Sequence, residues 1–220
     1  MTKQSRMYIC DDRTEWLQLR SGYIGGSDAG CIMGLNPWKS NLDLYREKTG
    51  LQEPEDISDK DIVKYGVAAE PHLRALFALD YPEYKVDYVE NNIWMNDDID
   101  LAHASLDGWL TDPEGRKGIL EIKTANIQNA SQKEKWQGQI PPSYFCQILH
   151  YLMVTGWNFA ILSAWLKYEI PGEEPFAHVK RYRIERSEVE EDIAYLRAEE
   201  EKFWECVKNK IEPGRKLPSI

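Results

Sequence analysis

Two neighbouring apolar segments, each carrying an acidic residue, constrain the fold of this chain more than any other feature. ASLDGWL covers residues 104–110 and GILEIKTA covers residues 118–125, and the polar stretch TDPEGRK between them contains a proline and a glycine. These are typical turn residues, so the two segments are predicted to pair as antiparallel strands. Side chains alternate along a strand, which places Glu121 and Lys123 on one face. We therefore expect Asp107, in mid-strand, to lie close to Glu121.

The composition favours a single domain inside the cell. A chain of 220 residues is long enough for one domain with a substantial core. Its net charge of -10 argues against a general polyanion-binding surface, although a local basic channel is compatible with it. The four cysteines form no CxxC pair, which argues against a zinc ribbon or a disulfide framework and is typical of reduced thiols. The N-terminal segment lacks the apolar core of a secretory signal, so we expect a cytoplasmic protein.

One stretch without charged residues, 136–166, is long enough to span a membrane. Glutamines, a histidine and a Pro-Pro pair interrupt its apolar character, so no membrane span is expected. The stretch instead predicts a buried helix over 143–155, ended by Gly156, and a strand over 157–167.

The rest of the sequence predicts a series of short helices and strands. Helices are predicted over 13–21, 27–34, 40–49 and 58–79, strands over 84–95, 99–110, 118–124 and 177–186, and a last helix over 187–210. Ser27 is predicted to cap the second helix, and Pro71 to break or kink the fourth near Glu70. The sequence SEVE at 187–190 predicts a capping box. This order indicates an α/β or α+β fold with a central mixed sheet flanked by helices.

The residues alone leave two interpretations of the acidic pair. An acidic residue and a lysine on a strand most often form an exposed cross-strand charge pair. Alternatively, Asp107, Glu121 and the backbone carbonyl of Ile122 offer the oxygen ligands that Mg2+ prefers, with Lys123 as a further cation near a phosphate. That arrangement would suit metal-dependent phosphodiester hydrolysis. The four histidines have no metal-ligand spacing such as HExxH, so they are interpreted as structural.

Five segments, in this order, carry a resemblance to a known family. They are WLQLRSGYIGGSDAGCIMGLNPWKSNLDLYREKTG, YGVAAEPHLRALF, ASLDGWL, GILEIKTA and YFCQILHYLMVTG. Over residues 12–168 the chain resembles the YqaJ-like viral recombinases, the group of phage exonucleases that includes lambda exonuclease, within the PD-(D/E)xK nuclease superfamily. The resemblance implies a restriction-endonuclease-like fold. Residues 1–220 would form one nuclease domain, with the strand and helix over 177–210 as an elaboration.

The resemblance also implies roles for individual residues. Asp107, Glu121 and Lys123 match the catalytic residues of the family. Asp107, Glu121, the carbonyl of Ile122 and the helical acid Glu70 match its metal ligands. The implied cofactor is Mg2+, with two ions per site and Mn2+ able to substitute.

A pocket for a terminal 5′ phosphate is implied at four further positions, Arg20, Ser27, Ser105 and Gln147. Each position has a structural alternative. Arg20 could complement the dipole at a helix C-terminus, and Ser27 could only cap a helix. Ser105 could be an ordinary strand hydroxyl and Gln147 a polar group in an apolar helix. The two glycines before Ser27 would let the backbone approach an anion closely.

The implied activity is a metal-dependent 5′-to-3′ exonuclease that acts on linear double-stranded DNA ends and leaves 3′ single-stranded overhangs for recombination. Members of this family form ring-shaped homotrimers and work with a single-strand annealing protein. Both associations are expected here, in the cytoplasm of a bacterial host that carries the phage or prophage. Two rival hypotheses remain: another PD-(D/E)xK enzyme, either an endonuclease or a DNA-repair nuclease, and an inactive DNA-binding relative. The intact acids and lysine argue against the inactive relative.

Overall fold

A central mixed sheet flanked by helices forms the fold of the computed structural model, which describes residues 5–172 and 174–216. The helices are α1 (Arg13–Ser21), α2 (Gly26–Ile32), α3 (Asn41–Lys48), α4 (Asp61–Asp80), α5 (Ala130–Glu134), α6 (Pro142–Thr155) and α7 (Glu190–Asn209). The strands are β1 (Arg6–Ile9), β2 (Lys85–Asp87), β3 (Asn92–Asn96), β4 (Ile99–Ala104), β5 (Gly108–Thr111), β6 (Lys117–Ile127), β7 (Phe159–Tyr168) and β8 (Phe176–Glu185). The predicted fold class is confirmed. Two predictions involve residues outside the described ranges. The predicted domain, 1–220, includes residues 1–4 and 217–220, and the N-terminal segment predicted to lack a secretory signal includes residues 1–4.

The strands form two sheets. The larger sheet has the order β2-β5-β6-β7-β8, and the smaller has the order β1-β3-β4. Strands β6 and β7 are parallel, while the other neighbours are antiparallel. A parallel pair needs a crossover connection, and α6 lies within it. The predicted buried helix followed by a strand is confirmed, and no helix in the described ranges combines the length and apolarity that a membrane crossing needs.

Strand β6 separates two apolar cores, as its alternating side chains predict. Ile119 belongs to the main core, which also contains most of α6. Leu120 and Ile122 belong to a smaller core on the opposite face, next to α4. Glu121 and Lys123 therefore lie on the face of Ile119, toward α6.

The N-terminal helices agree with the sequence patterns, with one correction. Helix α1 has the predicted limits, and α3 is capped by Ser40, whose hydroxyl accepts from Asp43 N–H at 3.2 Å. Helix α2 begins one residue earlier than predicted, and its N-cap is Gly25 rather than Ser27.

Pro71 lies inside α4, which is continuous over Asp61–Asp80. Of the break or kink predicted near Glu70, the break is therefore wrong. Proline removes the hydrogen bond from its own nitrogen to the carbonyl four residues earlier, which is that of Val67. Because Val67 is 63% exposed, water can satisfy this carbonyl and the helix continues.

The last helix also begins later than predicted. Residues Arg186–Glu188 form a 3-10 turn, and Val189 caps α7 without a side-chain hydrogen bond. The predicted capping box is wrong because Arg186 fixes the turn: its side chain donates to the carbonyl of Leu152 and its N–H donates to that of Asn158 at 2.8 Å. These bonds fix Arg186 beside the C-terminal end of α6, just before α7 begins.

Candidate active site

Asp107 and Glu121 are brought together by the pairing of β5 with β6. Gly108 pairs with Leu120 in antiparallel register, so Asp107, the residue before β5, lies opposite Glu121. Asp107 Oδ2 accepts a hydrogen bond of 2.8 Å from Ile122 N–H. The predicted closeness of the two acids is confirmed.

Asp107 lies in a break between two strands rather than in mid-strand. β4 ends and β5 begins on either side of residues 105–107, so the single strand predicted over 99–110 is wrong. Asn92 of β3 stabilises the break, since its side-chain amide donates to the Leu106 carbonyl at 2.9 Å and its amide oxygen accepts from Leu106 N–H at 3.0 Å. Asp107 is thereby placed where the chain passes from the smaller sheet to the larger one.

Glu121 is held through one of its two oxygens. Lys123 Nζ lies 2.6 Å from Glu121 Oε1, and Gln147 Nε2 donates to the same oxygen at 2.8 Å. The Gln147 amide also donates to the Tyr151 hydroxyl at 2.8 Å. Glu121 Oε2 is buried and has no hydrogen-bond partner within the described ranges. A buried carboxylate oxygen in this state is a candidate ligand for a cation.

Glu70 reaches the site from α4 together with Arg74, which was not among the predicted site residues. Arg74 pairs with Glu70 Oε1 one helical turn away. It also donates from Nε to the backbone carbonyl of Asp107 at 2.6 Å, and its guanidinium carbon lies 3.5 Å from the centre of the Tyr88 ring. The spacing of four residues between Glu70 and Arg74 on a helix was the available signal.

All three carboxyl groups have raised pKa values. Burial, followed by the charge of Glu121, raises the pKa of Asp107 to about 7. Burial is also the largest cause of the raised pKa of Glu121, against the opposing charge of Lys123, and of the raised pKa of Glu70, where Asp107 adds to it. Burial lowers the pKa of Lys123, but the charges of Glu121 and Asp107 outweigh it and leave that pKa raised. Crowded acids with perturbed pKa values beside a cation are typical of functional sites.

These residues fit the predicted divalent-cation site by their chemistry. Asp107, Glu121, Glu70 and the Ile122 carbonyl all offer hard oxygen ligands. The N–H and C=O of one strand residue point to the same side, so the Ile122 carbonyl faces the edge at which its N–H binds Asp107. Among the described residues, no three His, Cys, Asp or Glu side chains are already arranged to hold a metal ion together. Two of the carboxylates are instead paired with cationic side chains.

Trp16 joins two of the residues predicted to bind a phosphate. The guanidinium carbon of Arg20 lies 3.9 Å from the centre of the Trp16 ring, and Trp16 Nε1 donates to Ser105 Oγ at 3.1 Å. Ser105 Oγ donates to the carbonyl of Asn92 at 2.8 Å. Burial lowers the pKa of Arg20, and the charge of Asp107 is among the influences that oppose this shift. Arg20 therefore lies within electrostatic range of Asp107.

Ser27 and the two glycines before it lie where α2 meets α6. Ser27 is exposed as the second residue of α2. The N–H of Gly25 donates to Asp28 Oδ2 at 3.0 Å, so the helix start is closed without the serine hydroxyl. A Cβ added to Gly26 would lie 2.4 Å from Tyr151 Cε1. The close approach at Gly26 is thus an approach to α6, which carries Gln147.

A second buried network lies behind α6. His150 Nδ1 is 2.8 Å from Glu200 Oε1, and His150 Nε2 is 2.8 Å from the carbonyl of His103. The side chains of His150 and Glu200 are both 0% exposed. Burial lowers the pKa of His150, but the charge of Glu200 and the hydrogen bonds outweigh it and leave that pKa raised. The network ties α7 to α6 and β4, consistent with the predicted structural role of His103 and His150.

Comparison with known proteins identifies a family, and comparison with solved structures identifies a fold. The family model described as the YqaJ-like viral recombinase domain matches residues 15–158. A curated protein of Bacillus subtilis (strain 168), called "Uncharacterized protein YqaJ", is 34% identical over 156 residues, which make up 71% of this chain and 45% of that protein. The chain therefore spans less than half the length of this curated relative.

Two solved structures share the fold. The alkaline exonuclease LHK-Exo from Laribacter hongkongensis has a TM-score of 0.64 and 21% identity, covering 90% of this chain and 94% of that one. A phage-related exonuclease from Haemophilus somnus 129PT has a TM-score of 0.55 and 13% identity, covering 88% of this chain and 98% of that one. These likenesses confirm the predicted restriction-endonuclease-like fold.

Proposed function

Because the chain belongs to the YqaJ-like viral recombinase family, we propose that it is a metal-dependent exonuclease that degrades linear double-stranded DNA from 5′ ends and leaves 3′ single-stranded overhangs. The observation that carries the proposal is the meeting of Asp107, Glu121 and Lys123 at the junction of β5 and β6. Two acids with a lysine suit metal-dependent phosphodiester hydrolysis. The exonucleases that share the fold support the same activity.

The acids are proposed to hold the cofactor. Asp107, Glu121, Glu70 and the carbonyl of Ile122 would bind Mg2+, or Mn2+ in its place, as hard oxygen ligands. When bound, such an ion supplies a charge that polarises the phosphoryl oxygen and acidifies a water molecule. Gln147 would keep Glu121 in place, because its amide donates to the carboxylate at 2.8 Å.

Lys123 is proposed to act on the reacting phosphate. Its side chain is 22% exposed, so it is not fully closed off from solvent although it lies among buried acids. The raised pKa keeps it protonated at neutral pH. A fixed ammonium group in this position can orient the attacking water and stabilise the negative charge that develops on the phosphate.

Arg20 is proposed to recognise a terminal 5′ phosphate, with Ser27, Ser105 and Gln147 around it. Stacking on Trp16 uses the face of the Arg20 guanidinium and leaves its N–H edge for an anion. Such a contact would direct the enzyme to DNA ends, because a terminal phosphate carries more negative charge than an internal phosphodiester. The pocket therefore favours an exonuclease over an endonuclease with the same acids.

The experiment compares end-labelled linear duplex with closed circular duplex, in Mg2+ and in chelator. The wild-type chain is expected to degrade the linear DNA only, and only with the metal. Asp107→Asn should abolish degradation, since the neutral amide is a poorer ligand for a cation. Lys123→Ala should slow it by at least about a hundredfold, the scale on which one transition-state stabiliser acts. Lys117→Ala is the matched control on the same strand, because Lys117 is exposed and donates to the Thr111 hydroxyl.

Each rival hypothesis gives a different result in this assay. Cleavage of the circular duplex would indicate an endonuclease. Binding of DNA without cleavage by the wild-type chain would indicate the inactive relative. Near-normal cleavage by Asp107→Asn, with thermal unfolding showing a folded variant, would remove the active-site assignment.

The assembly and the partner belong to the same proposal. The family resemblance supports a ring-shaped homotrimer around DNA and a single-strand annealing protein that receives the overhang. Light scattering of the isolated chain decides between the trimer and a monomer.

A further inference from the structure

Arg74 connects the helical acid to the strand acid of the candidate site. Its Nη2 pairs with Glu70 Oε1 on the preceding turn of α4. Its Nε donates to the backbone carbonyl of Asp107 at 2.6 Å. One side chain thus spans the gap between α4 and the break that precedes β5.

The same side chain is held on its remaining face. The guanidinium carbon of Arg74 lies 3.5 Å from the centre of the Tyr88 ring, a stacking distance for a planar cation on an aromatic ring. The Arg74 side chain is 13% exposed, against 27% for Glu70. Two hydrogen bonds and a stacked face leave Arg74 little freedom to move away from the site.

We propose that Arg74 is the positioning residue that sets Glu70 against Asp107, so that their carboxyl groups approach a shared divalent cation. The inference rests on the proposed function, in which Glu70 and Asp107 are metal ligands. An ordinary ion pair between neighbouring turns would stabilise the helix alone. The bond from Nε to the Asp107 carbonyl has no part in helix stability, and it ties Arg74 to the other acid.

Arginine is required at this position because both acceptors are bound at once. The guanidinium group presents Nε and Nη2 in a rigid plane, and each points to a different acceptor. Lysine would preserve the charge but offers one nitrogen on a flexible chain. Arg74→Lys therefore separates the positive charge of the residue from its bridging geometry.

The test measures metal binding directly. Mn2+ is titrated into the metal-free 220-residue chain, and free Mn2+ is followed by electron paramagnetic resonance. Arg74→Lys is expected to weaken Mn2+ binding by roughly 10–100-fold, the usual effect of losing a partner that orients a metal ligand. In the nuclease assay, the half-saturating Mn2+ concentration should rise by the same factor, and the rate at saturating Mn2+ should return toward that of the wild type. Because metal binding also stabilises a weakened fold, thermal unfolding of each metal-free variant is measured as well. An Arg74→Lys chain that is folded without metal at the assay temperature excludes general instability as the cause of the weaker binding.

The chain offers a control on α7 that has the same pattern of bonds but is more exposed. Arg197 donates from Nε to Glu201 at 2.8 Å, one turn away, and from Nη2 to the backbone carbonyl of Asp98 at 3.1 Å. Arg197 therefore makes the same two kinds of bond as Arg74, but to none of the acids of the candidate site. Arg197→Lys should leave both the Mn2+ affinity and the nuclease rate unchanged. Tyr88→Ala gives a second variant, which should weaken Mn2+ binding in the same direction because Arg74 loses its platform.

The outcomes distinguish this inference from the proposed function. Wild-type Mn2+ affinity in both Arg74→Lys and Tyr88→Ala would overturn the role of Arg74, whatever the nuclease activity. An equal loss of affinity in Arg197→Lys would overturn it as well. A wild-type chain that binds Mn2+ but cleaves no DNA would overturn the proposed function, while weakened binding by Arg74→Lys would still support the positioning role. A wild-type chain that binds no Mn2+ would overturn both.

Discussion

Replacement of Gly26 by alanine is predicted to damage the candidate site through packing alone. The added Cβ would lie 2.4 Å from Tyr151 Cε1 and 2.9 Å from Gln147 Cγ. Carbon atoms in contact are about 3.5–4.0 Å apart, so α2 and α6 would have to separate by more than about 1 Å or the two side chains would have to turn. Tyr151 and Gln147 are 5% and 8% exposed, which leaves them no open space to turn into.

The expected loss of stability follows from the cost of overpacking a buried contact. Overpacking of a buried contact typically costs about 1–3 kcal/mol. For a domain of this length each kcal/mol lowers the melting temperature by about 2–4 °C, which gives a decrease of roughly 2–12 °C. The loss of activity should be larger, because Gln147 holds the Glu121 carboxylate and a displacement of about 1 Å near reacting groups can slow catalysis by about a hundredfold.

Thermal unfolding and exonuclease rate are measured together, with two control glycines. At Gly22 an added Cβ would meet its nearest atom, Leu19 O, at 3.7 Å, so alanine there should change neither quantity. At Gly118 an added Cβ would lie 2.2 Å from Phe159 Cε2 in the smaller core, so alanine should lower the melting temperature with little loss of rate while the chain is folded. Wild-type stability and rate in Gly26→Ala would refute the reasoning, as would equal rate losses in Gly26→Ala and Gly118→Ala.

Two further substitutions test the phosphate pocket and the buried histidine. Arg20→Ala should remove most of the rate advantage of duplexes with 5′ phosphate over those with 5′ hydroxyl, and an unchanged ratio of initial rates would make Arg20 a structural residue. Glu200→Gln should lower the free energy of unfolding by roughly 1.5–3 kcal/mol at pH 6, where His150, whose pKa is raised, is protonated and bonded to Glu200. Because the folded-state pKa of His150 is raised, this difference should be full below the unfolded value of about 6.5 and shrink as pH rises through the folded value. Urea denaturation from pH 6 to 10 measures the difference, and a constant gap would refute the assignment.

The sequence was sufficient where the structure depends on neighbours along the chain. The closeness of Asp107 and Glu121 follows from a short turn between two strands, and the shared face of Glu121 and Lys123 follows from the period of a strand. The limits of α1 are likewise set by residues within one or two turns. Such features need no knowledge of the rest of the fold.

Features that depend on distant partners were missed or misjudged. The break before Asp107 is stabilised by Asn92, whose bonds to Leu106 span 14 positions of the chain. The late start of α7 depends on Arg186, which binds the end of α6. Arg74 could be paired with Glu70 from spacing alone, but its bond to the Asp107 carbonyl arises only when α4 lies on the sheet. Residue patterns within one segment do not contain this information.

The anchoring of the three acids explains why the candidate site needs more of the fold than the two strands beside Asp107 and Glu121. Asp107 is fixed through Oδ2 by a backbone N–H, Glu121 through Oε1 by an ammonium group and an amide, and Glu70 through Oε1 by a guanidinium group. These donors come from β6, α6 and α4, and each counters part of the cost of holding carboxylates together in a buried place. Each of these donors binds one oxygen of its carboxylate. The carboxylates can therefore approach a cation while the fold stays intact. A donor such as Arg74 or Gln147 should therefore affect metal binding through the acid that it holds, even though it offers no ligand of its own.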